Sequence, residues 1–400
     1  MDLSARNTFG MKVHCRLYVE ITAEADLPAL DFAALPQPVF VMGGGSNLLF
    51  AGDWPGTILH VAIAAGEAGL GGRVHPRTRA GGGAQPQVGR GRSERSERSS
   101  AEACLGGAYG DVVVALGSDG AEASLSGSDD DVVVTLGAGT VFDDFCERAA
   151  AEGLWGPENL SLIPGEVGAS AVQNIGAYGV EAKDIIVSVH AWDLQERRFV
   201  DIPAADCAYG YRSSRFKTEW KGRYIITAVT FRLSRRPQPK LDYGGVRKAL
   251  EGRGVSPEAL TPGLIRETII GIRREKLPDP SELGSAGSFF KNPVISREHF
   301  ARIVETARSE MGPEATVPHF EMGDEIKVPA AWMIDRCGFK GQRLGGAQVY
   351  PRQPLVLVNA TGSATPGEVL ALRDRIIAAV AAKFGVTLSC EVETVAPEHV

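Results

Sequence analysis

The alternation of apolar stretches and turn residues predicts strands in several parts of the chain. Residues 39–50 form an apolar run interrupted by three glycines, and a second apolar run covers residues 57–63. Short apolar runs bounded by turn residues are typical of buried strands. The same pattern predicts antiparallel strands at 185–194, 197–203 and 224–233, and a buried strand at 354–359.

Apolar positions that recur every three or four residues predict helices, mostly in the second half of the chain. The helix expected over 261–276 has Thr261 as its N-cap and Pro262 at its first position, as helix starts commonly do. The other expected helices are 296–311, ended by Gly312; 365–384, with a capping box of Thr365 and Glu368 and an end at Gly385; and a helix that has Thr140 as its N-cap and ends at Gly153.

Mixed strands and helices without strict strand–helix–strand repetition indicate the α+β fold class. A chain of 400 residues is long enough for two or three domains. The pattern breaks at residue 66, because residues 66 to about 110 are rich in glycine and arginine and contain few apolar residues, and the interruption extends to about 130. We expect a flexible insertion there, since so few apolar side chains do not offset the entropy of ordering. The alternative is a segment whose arginines contact nucleic acid or a partner protein.

Charge and residue counts exclude several classes of protein. The 42 basic and 49 acidic residues give a net charge of -7, which argues against a protein whose main role is to bind nucleic acid. The chain has no run of 18 apolar residues and no apolar signal core at its start, so we expect a cytoplasmic protein without membrane contact. The six cysteines and seven histidines are scattered, so we expect reduced thiols and no metal.

Two glycine-rich segments are candidates for binding a flat, phosphorylated ligand. Residues 43–47, Gly-Gly-Gly-Ser-Asn, allow backbone N–H groups to point at a phosphate, although a plain tight turn explains them equally well. The second segment is 164–181, whose glycines and small residues predict neither a regular helix nor a good strand. Its apolar residues favour a loop wrapped around a ligand over a glycine-rich surface loop.

Three other segments carry reactive or charged side chains. Arg212 lies among the aromatic residues of 209–217, where an arginine can grip a carboxylate, although a stacked surface arginine is the more ordinary interpretation. Ser288 lies beside two phenylalanines in 287–293, and most serines merely cap or turn the chain. Glu391 lies in a C-terminal run of β-forming residues and is either buried for a purpose or part of a solvent-exposed edge strand.

Together, the order and spacing of these segments resemble the UDP-N-acetylenolpyruvoylglucosamine reductases, the flavoproteins of bacterial peptidoglycan precursor synthesis. The resemblance extends over nearly the whole chain and is interrupted at 66–130. The segments that carry it are 7–10 (Asn-Thr-Phe-Gly), 43–47, 164–181, 211–217, 276–280, 287–293 and the strand with Glu391.

This resemblance implies a two-part FAD-binding fold, similar to that of vanillyl-alcohol oxidase, followed by a C-terminal α/β substrate-binding domain. The first FAD-binding part is expected at 1–62, with 386–400 packed on it. The second is expected at 63–277 and contains the insertion, and the substrate-binding domain is expected at 278–385. FAD and NADPH are the implied cofactors, and we expect a monomer whose partners are small molecules.

The site residues of the family carry over position by position. The resemblance implies that Arg212, Ser288 and Glu391 are catalytic, and that substrate is contacted by Tyr243, Lys276, Asn292 and Gln353. The implied FAD contacts are Gly43, Gly44, Gly45, Ser46, Asn47, Ser170, Val172, Ile175, Gly176, Tyr178 and Arg273.

The implied reaction is the NADPH-dependent reduction of UDP-N-acetylglucosamine enolpyruvate to UDP-N-acetylmuramate. Hydride would pass through FAD to the terminal vinyl carbon, and negative charge would develop beside it. Arg212 and Glu391, with Glu391 protonated or hydrogen-bonded as a donor, would stabilise that charge, and Ser288 would supply the proton.

Two departures from the family and two other hypotheses stay open. The insertion is longer and richer in glycine and arginine than the family needs, and Ser389 and Cys390 precede Glu391 where a proline is common.

One alternative function is that of an FAD-dependent sugar or lactone oxidase. Such an oxidase usually has a histidine for covalent flavin attachment, and no histidine lies close to 43–47. The other alternative is a nucleotide-binding scaffold protein, but this hypothesis accounts only for the insertion.

Overall fold

The computed structural model describes residues 1–64, 113–115, 130–243 and 245–397. Most of the insertion predicted at 66–130 lies outside the described residues. The α-helices are α1 (Asp26–Ala29), α2 (Phe142–Ala151), α3 (Val167–Gln173), α4 (Val246–Gly252), α5 (Pro262–Lys276), α6 (Arg297–Met311), α7 (Ala330–Arg336) and α8 (Pro366–Phe384). The strands are β1 (Cys15–Ile21), β2 (Val39–Met42), β3 (Leu48–Phe50), β4 (Trp54–Val61), β5 (Val113–Ala115), β6 (Asp131–Gly137), β7 (Gly176–Ala177), β8 (Val180–Glu181), β9 (Ile186–Asp193), β10 (Arg198–Pro203), β11 (Tyr224–Ser234), β12 (Ser285–Ser288), β13 (Val294–Ser296), β14 (Phe320–Met322), β15 (Glu325–Lys327), β16 (Arg343–Leu344), β17 (Ala347–Val349), β18 (Val356–Asn359) and β19 (Glu393–Val395).

In the described part of the chain, these strands form four sheets of three to five strands and two sheets of two strands. The N-terminal sheet is parallel, in the order β1–β4–β2, and the largest sheet has the order β10–β9–β11–β6–β5, antiparallel except for the β5–β6 pair. The C-terminal part contains β12–β18–β17–β16 and β13–β15–β14, both antiparallel. The strand β19 pairs in parallel with β3, with Glu393 opposite Leu48. This pairing places the C-terminal segment beside the glycine loop, because Leu48 directly follows Asn47.

Two large apolar cores meet at the N-terminal sheet. Ile58 of β4 belongs to a core that also contains Phe289 and Leu357 of the C-terminal part. The next residue, Leu59, belongs to a second core that includes Phe231 of the largest sheet. Since successive side chains of a strand point to opposite faces, β4 holds the two halves of the molecule together. A smaller cluster packs α4 against α5.

The capped helices and most strands agree with the sequence predictions. Thr261, Ser296 and Thr365 each accept a hydrogen bond from the third residue of the helix that follows, and Thr365 forms the predicted capping box with Glu368. These side chains satisfy N–H groups that the helix itself leaves unpaired. The predicted strands 185–194, 197–203, 224–233 and 354–359 correspond to β9, β10, β11 and β18.

Three local predictions were wrong. The segment 164–181 was not expected to be helical, yet Val167–Gln173 is an α-helix. Gly168 allows this helix to pack closely against Ala138, because a Cβ on Gly168 would lie 2.7 Å from the Cβ of Ala138. Glu391 precedes β19 instead of lying within a strand. The N-cap of α2 is Val141 and not Thr140.

The described ranges contain neither a helix long and apolar enough to cross a membrane nor a cluster of three or more metal-ligating side chains. The cysteines at 15, 146 and 207 are buried, those at 337 and 390 are partly exposed, and all five are free thiols.

Candidate active site

Three of the segments singled out in the sequence converge on Glu391. The backbone N–H of Glu391 donates to the carbonyl of Phe289 at 2.8 Å, and that of Lys291 donates to Ser389 at 2.9 Å. The side chain of Asn47 donates to the carbonyl of Glu391 at 3.1 Å. The end of β12 and the end of the glycine loop therefore both touch the Glu391 segment, and Ser288 is the residue before Phe289.

Arg212 and Glu391 form an ion pair at this junction. The Nε of Arg212 donates to Oε1 of Glu391 at 2.7 Å, and each side chain is only 15% exposed. Arg212 also donates to the carbonyl of Gly176 and stacks its guanidinium on Tyr211, 5.3 Å from the ring centre. The interpretation of Arg212 as a stacked surface residue therefore accounts for only one of its contacts, and Glu391 is not on a solvent-exposed edge strand.

The backbone around Arg212 is shaped for these contacts. Gly210 and Ser213 exchange backbone hydrogen bonds of 3.0 and 3.1 Å, and within that tight turn Arg212 has a positive φ of 53°. A Cβ on Gly176 would lie 2.8 Å from a guanidinium nitrogen of Arg212. Only glycine permits so close an approach of the arginine to the 176 carbonyl.

The glycine loop is held by the segment at 7–10. Gly45 has a φ of 65°, and a Cβ there would lie 2.1 Å from the carbonyl oxygen of Arg6. Thr8 donates from its N–H to Gly45 and from its hydroxyl to Ser46, at 3.2 Å each. The carbonyl of Thr8 in turn accepts from Ser285 at 2.9 Å, so the loop is connected to β12.

A partly buried charge network that the sequence analysis missed lies against this loop. The carboxylate of Glu166 lies 3.0 Å from the position of a Cβ on Gly43. It is hydrogen-bonded to Nε2 of His60 at 3.1 Å, and Nδ1 of His60 lies 2.9 Å from the hydroxyl of Tyr18. The hydrogen bond with Glu166 raises the pKa of His60. The sequence offered one indication, which is that Glu166 is one of only two charged residues in the segment 164–181.

The remaining residues predicted to touch FAD lie on and after α3. The hydroxyl of Ser170 is buried and donates to the carbonyl of Val167 at 2.6 Å, so it is already used inside its own helix. Val172, Ile175, Gly176 and Tyr178 are partly exposed. Asn174 ends the helix in the left-handed conformation, and its amide donates to Gly210 at 2.8 Å. The helix is thus tied to the turn that carries Arg212.

Arg273 reaches this region from α5. Its guanidinium donates to the carbonyl of Leu162 at 3.3 Å, while its Nε is buried without a partner among the described residues. Burial lowers the pKa of Arg273 and raises that of the neighbouring Tyr178. A buried guanidinium N–H without an acceptor is a ready donor for a ligand oxygen or ring nitrogen.

These residues fit FAD. Because they lack side chains, Gly43, Gly44 and Gly45 can present backbone N–H groups to an anion such as a diphosphate, and Arg273 supplies an unused donor. Partly exposed apolar side chains on the 172–178 segment suit a flat ring. The chemistry of the glycine loop and of the segment after α3 is therefore compatible with FAD.

A cleft lies beside the Arg212 turn, and its outer edge is lined by the aromatic and basic residues Tyr211, Tyr243, Phe320 and Lys327. The ring of Tyr243 stacks on Phe320 with centres 5.5 Å apart, and Nζ of Lys327 lies 5.0 Å from the ring centre of Tyr211 and 5.6 Å from that of Phe320. Burial lowers the pKa of Lys327. Lys327 and Tyr211 line a cavity of about 270 Å³ with Glu181, Lys183, Val294 and Met322.

The other predicted substrate residues lie in different surroundings. The side-chain oxygen of Asn292 accepts from Ala330 at 3.0 Å, at the start of α7. Gln353 accepts from Leu355 at 3.4 Å. The neighbouring Arg352 donates to the carbonyl of Glu275 at 3.2 Å, which brings Gln353 beside the end of α5, where Lys276 lies.

Two lysines near the site were not assigned a role from the sequence. Lys327 was missed altogether. Lys217 was noted but given no role; its ammonium donates to Gln173 at 2.6 Å, and burial lowers its pKa.

Comparisons with known proteins agree with this geometry. Residues 92–198 match the family described as FAD binding domain, and residues 279–395 match the C-terminal domain of UDP-N-acetylenolpyruvoylglucosamine reductase. The fold, the flavin-binding match and the buried Arg212–Glu391 pair define an FAD-dependent oxidoreductase.

Relatives identify the family. The chain is 40% identical over 393 residues to UDP-N-acetylenolpyruvoylglucosamine reductase of Bacteroides fragilis strain YCH46, covering 98% of both chains. It is 39% identical to the enzyme of that name from Burkholderia ambifaria strain AMMD, covering 97% of this chain and 94% of the relative. The chain belongs to the UDP-N-acetylenolpyruvoylglucosamine reductase family.

A solved structure supports the fold. The crystal structure of UDP-N-acetylenolpyruvylglucosamine reductase from Thermus caldophilus superposes with a TM-score of 0.57 at 20% identity, covering 98% of this chain and 97% of that one. The predicted α+β flavoprotein fold is confirmed. The comparisons give no support to the oxidase or the scaffold hypothesis.

Proposed function

We propose that the protein reduces the enolpyruvyl group of UDP-N-acetylglucosamine enolpyruvate to UDP-N-acetylmuramate, with NADPH as the reductant. When bound, FAD supplies the hydride chemistry that links NADPH to the enolpyruvyl double bond. The observation that carries the proposal is the junction of Arg212, Glu391 and the Ser288 segment between the flavin-binding and C-terminal parts.

Arg212 is proposed to hold the substrate carboxylate and to stabilise the negative charge that develops next to it. A guanidinium offers planar, paired donors to a carboxylate, and the low exposure of Arg212 strengthens the interaction by limiting competition from water. Glu391 accepts a hydrogen bond from Arg212 in this structure. Its proposed role as a donor requires that substrate draw Arg212 away and that Glu391 then carry a proton.

Ser288 is proposed to deliver the proton that completes the reduction. A serine hydroxyl is a weak acid, so its proton must be replaced through neighbouring groups or water. Lys276, Asn292, Gln353 and Tyr243 are proposed to hold the nucleotide sugar. Lys327 and Tyr211 join them in this proposal, because Lys327 lies over the ring of Tyr211 and over that of Phe320, on which Tyr243 stacks.

An anaerobic two-step experiment tests the proposal. The purified holoenzyme is reduced with NADPH, UDP-N-acetylglucosamine enolpyruvate is added, and the return of the yellow flavin absorbance is followed. Rapid return with formation of UDP-N-acetylmuramate is expected. Return only after admission of air would favour an oxidase, and a protein that takes up no flavin would refute the proposal.

The serine assignment is tested separately with Ser288→Ala. We expect flavin reduction by NADPH to be unchanged and the second step to slow by about 100-fold or more, in the range lost with a general acid. Ser285→Ala, three residues earlier on β12, is the matched control and should retain both rates. Equal rates for Ser288→Ala and the parent protein would remove Ser288 from the mechanism.

We also propose the domain bounds 1–62, 63–277 and 278–385 for the two flavin-binding parts and the substrate-binding part, and a monomeric, cytoplasmic protein. The separation of 63–277 from 278–385 is supported by their two different cores, which meet at β4. Light scattering of the purified protein tests the monomer, and cell fractionation tests the location.

A further inference from the structure

The side chain of Asn159 joins two segments that are proposed to bind different ligands. Asn159 is fully buried in the 3-10 turn Glu158–Leu160. Its Nδ2 donates to the carbonyl of Tyr178 and to the carbonyl of Lys240, both at 2.8 Å. Tyr178 belongs to the proposed FAD-binding segment, and Lys240 begins residues 240–243, the Tyr243 loop, whose tyrosine is proposed to contact the nucleotide.

The chemistry of these contacts requires an amide at position 159. Both partners are carbonyl oxygens, which only accept hydrogen bonds, so the NH₂ group must face them and use both of its hydrogens. A serine hydroxyl at this position has one hydrogen to donate, and an aspartate carboxylate has none. Among side chains of similar size, asparagine is the one that bridges two carbonyls.

The Tyr243 loop is fitted closely between this anchor and the C-terminal part. Gly179 has a φ of 82°, and a Cβ there would lie 3.3 Å from the Cβ of Tyr243. On the other side the ring of Tyr243 stacks on Phe320 of β14. The loop is therefore placed against the Tyr178–Gly179 turn by Asn159 and against the substrate-binding part by its own ring.

We propose that Asn159 is a positioning residue that holds the Tyr243 loop against the Tyr178–Gly179 turn and thereby strengthens binding of the nucleotide part of the substrate. This inference rests on the proposed function. A loop that is already in place loses less conformational freedom when a ligand binds to it. Without the Asn159 bridge, that ordering has to occur during binding and weakens the affinity.

A double-mutant cycle tests the inference. The Kd for UDP-N-acetylglucosamine enolpyruvate is measured by calorimetry on oxidised, FAD-loaded protein without NADPH, for the parent, Asn159→Ala, Tyr243→Ala and the double variant. We expect Asn159→Ala to weaken binding by about tenfold in the parent, and by less than about twofold when Tyr243 is already alanine, since interacting residues are not additive. Ser161→Ala is the matched control, because its buried hydroxyl donates to Glu158 in the same turn at 2.7 Å without touching the Tyr243 loop.

The outcomes separate cleanly. Equal weakening by Asn159→Ala in both backgrounds, or no weakening in either, overturns the inference. Weakening by Ser161→Ala as large as that by Asn159→Ala also overturns it, because the turn as a whole would then be responsible. Should Asn159→Ala not fold, the same cycle is run with Asn159→Ser, which retains one donor. A parent holoenzyme that does not bind the nucleotide overturns the proposed function as well as this inference, whereas a parent that binds and turns over while the cycle fails overturns the inference alone.

Discussion

The inner site and the outer edge of the cleft differ in how firmly their side chains are held. Arg212 and Glu391 are each 15% exposed and are fixed by an ion pair, a backbone carbonyl and a stacked ring. Tyr243 and Phe320 are 36% and 40% exposed, and their contacts with each other and with Lys327 are ring stacking and a cation over a ring.

The contrast matches two different chemical demands. Stabilising charge in a transition state depends on donors that are already in place. Aromatic and basic side chains at the outer edge can adjust to a ring or a phosphate with little loss of contact. Substitutions in the inner site should therefore reduce rates, and substitutions at the outer edge should reduce affinity.

The largest effect is expected for Gly45→Ala, which disturbs the frame of the inner site. The positive φ of Gly45 and a Cβ position 2.1 Å from the Arg6 carbonyl leave no room for a methyl group. We expect a loss of at least about 3 kcal/mol in the free energy of unfolding, together with loss of bound FAD, measured by denaturation and flavin content. Gly52→Ala is the control, since a Cβ at Gly52 meets nothing within 4 Å; similar losses in both variants would show that the loop geometry is unimportant.

The next largest effect is expected for Arg212→Lys. A lysine keeps the charge but lacks the planar fork that reaches Glu391 and the Gly176 carbonyl together. We expect the second, substrate-reducing step to slow by about 100-fold and the reduction of FAD by NADPH to change little, as measured by stopped-flow absorbance. Arg215→Lys is the control from the same segment, because Arg215 pairs with Glu219 on the surface. An unchanged second step would exclude Arg212 from charge stabilisation.

A moderate effect is expected for Phe320→Ala at the outer edge. The change removes the ring that contacts both Tyr243 and Lys327, contacts worth about 1 kcal/mol each. We expect the Kd for the sugar nucleotide to rise by about tenfold and the rate of the second step at saturation to stay within about threefold. Glu321→Gln, on an exposed residue that pairs with Arg297, should leave both quantities unchanged. A fall in rate without a fall in affinity would contradict the distinction between the two regions.

The smallest effect is expected for the pH dependence that His60 gives to stability. The pKa of His60 is raised by its hydrogen bond with Glu166, and Glu20, 3.6 Å away, acts in the same direction. A raised folded-state pKa means that the stabilisation is complete below the unfolded value of about 6.5 and disappears as the pH rises through the folded value. As the pH rises from about 6.5 through the folded-state pKa, the free energy of unfolding of the parent should fall relative to that of His60→Gln. The fall should be less than about 1 kcal/mol, because the network is partly solvated.

Urea denaturation of both proteins between pH 6 and pH 9 measures this difference. Glu166→Gln is the second comparison, because without the carboxylate the pH-dependent difference should shrink. A difference that grows as the pH rises has the wrong sign and would disprove the assignment of His60.

The helices α5, α6 and α8 were predictable from sequence because their ends are marked by local chemistry. Thr261 and Thr365 cap α5 and α8 from positions that their side chains alone identify. The helix α3 was not predictable in this way, because its formation depends on close packing against Ala138, about 30 residues earlier in the chain. Glycine lowers helix propensity, and tertiary contact overrides it here.

For the site, the resemblance supplied residue identities but not their arrangement. Nothing in the local sequence pairs Arg212 with Glu391, which lie 179 positions apart. The Glu166–His60–Tyr18 network and the Asn159 bridge were missed for the same reason, since each side chain finds its partner in a distant segment. Whether the implied residues contact FAD and substrate as expected stays a prediction.

The parallel pairing of β19 with β3 has a consequence for the order in which the protein is made. Asn47 and Glu391, which are in contact, are separated by 344 positions. During translation the glycine loop leaves the ribosome well before residues 391–395, so β3 lacks its partner strand and Arg212 lacks its carboxylate until those residues have been added. A nascent chain that stops short of Glu391 can therefore begin to build its cores, but it lacks the Arg212–Glu391 ion pair.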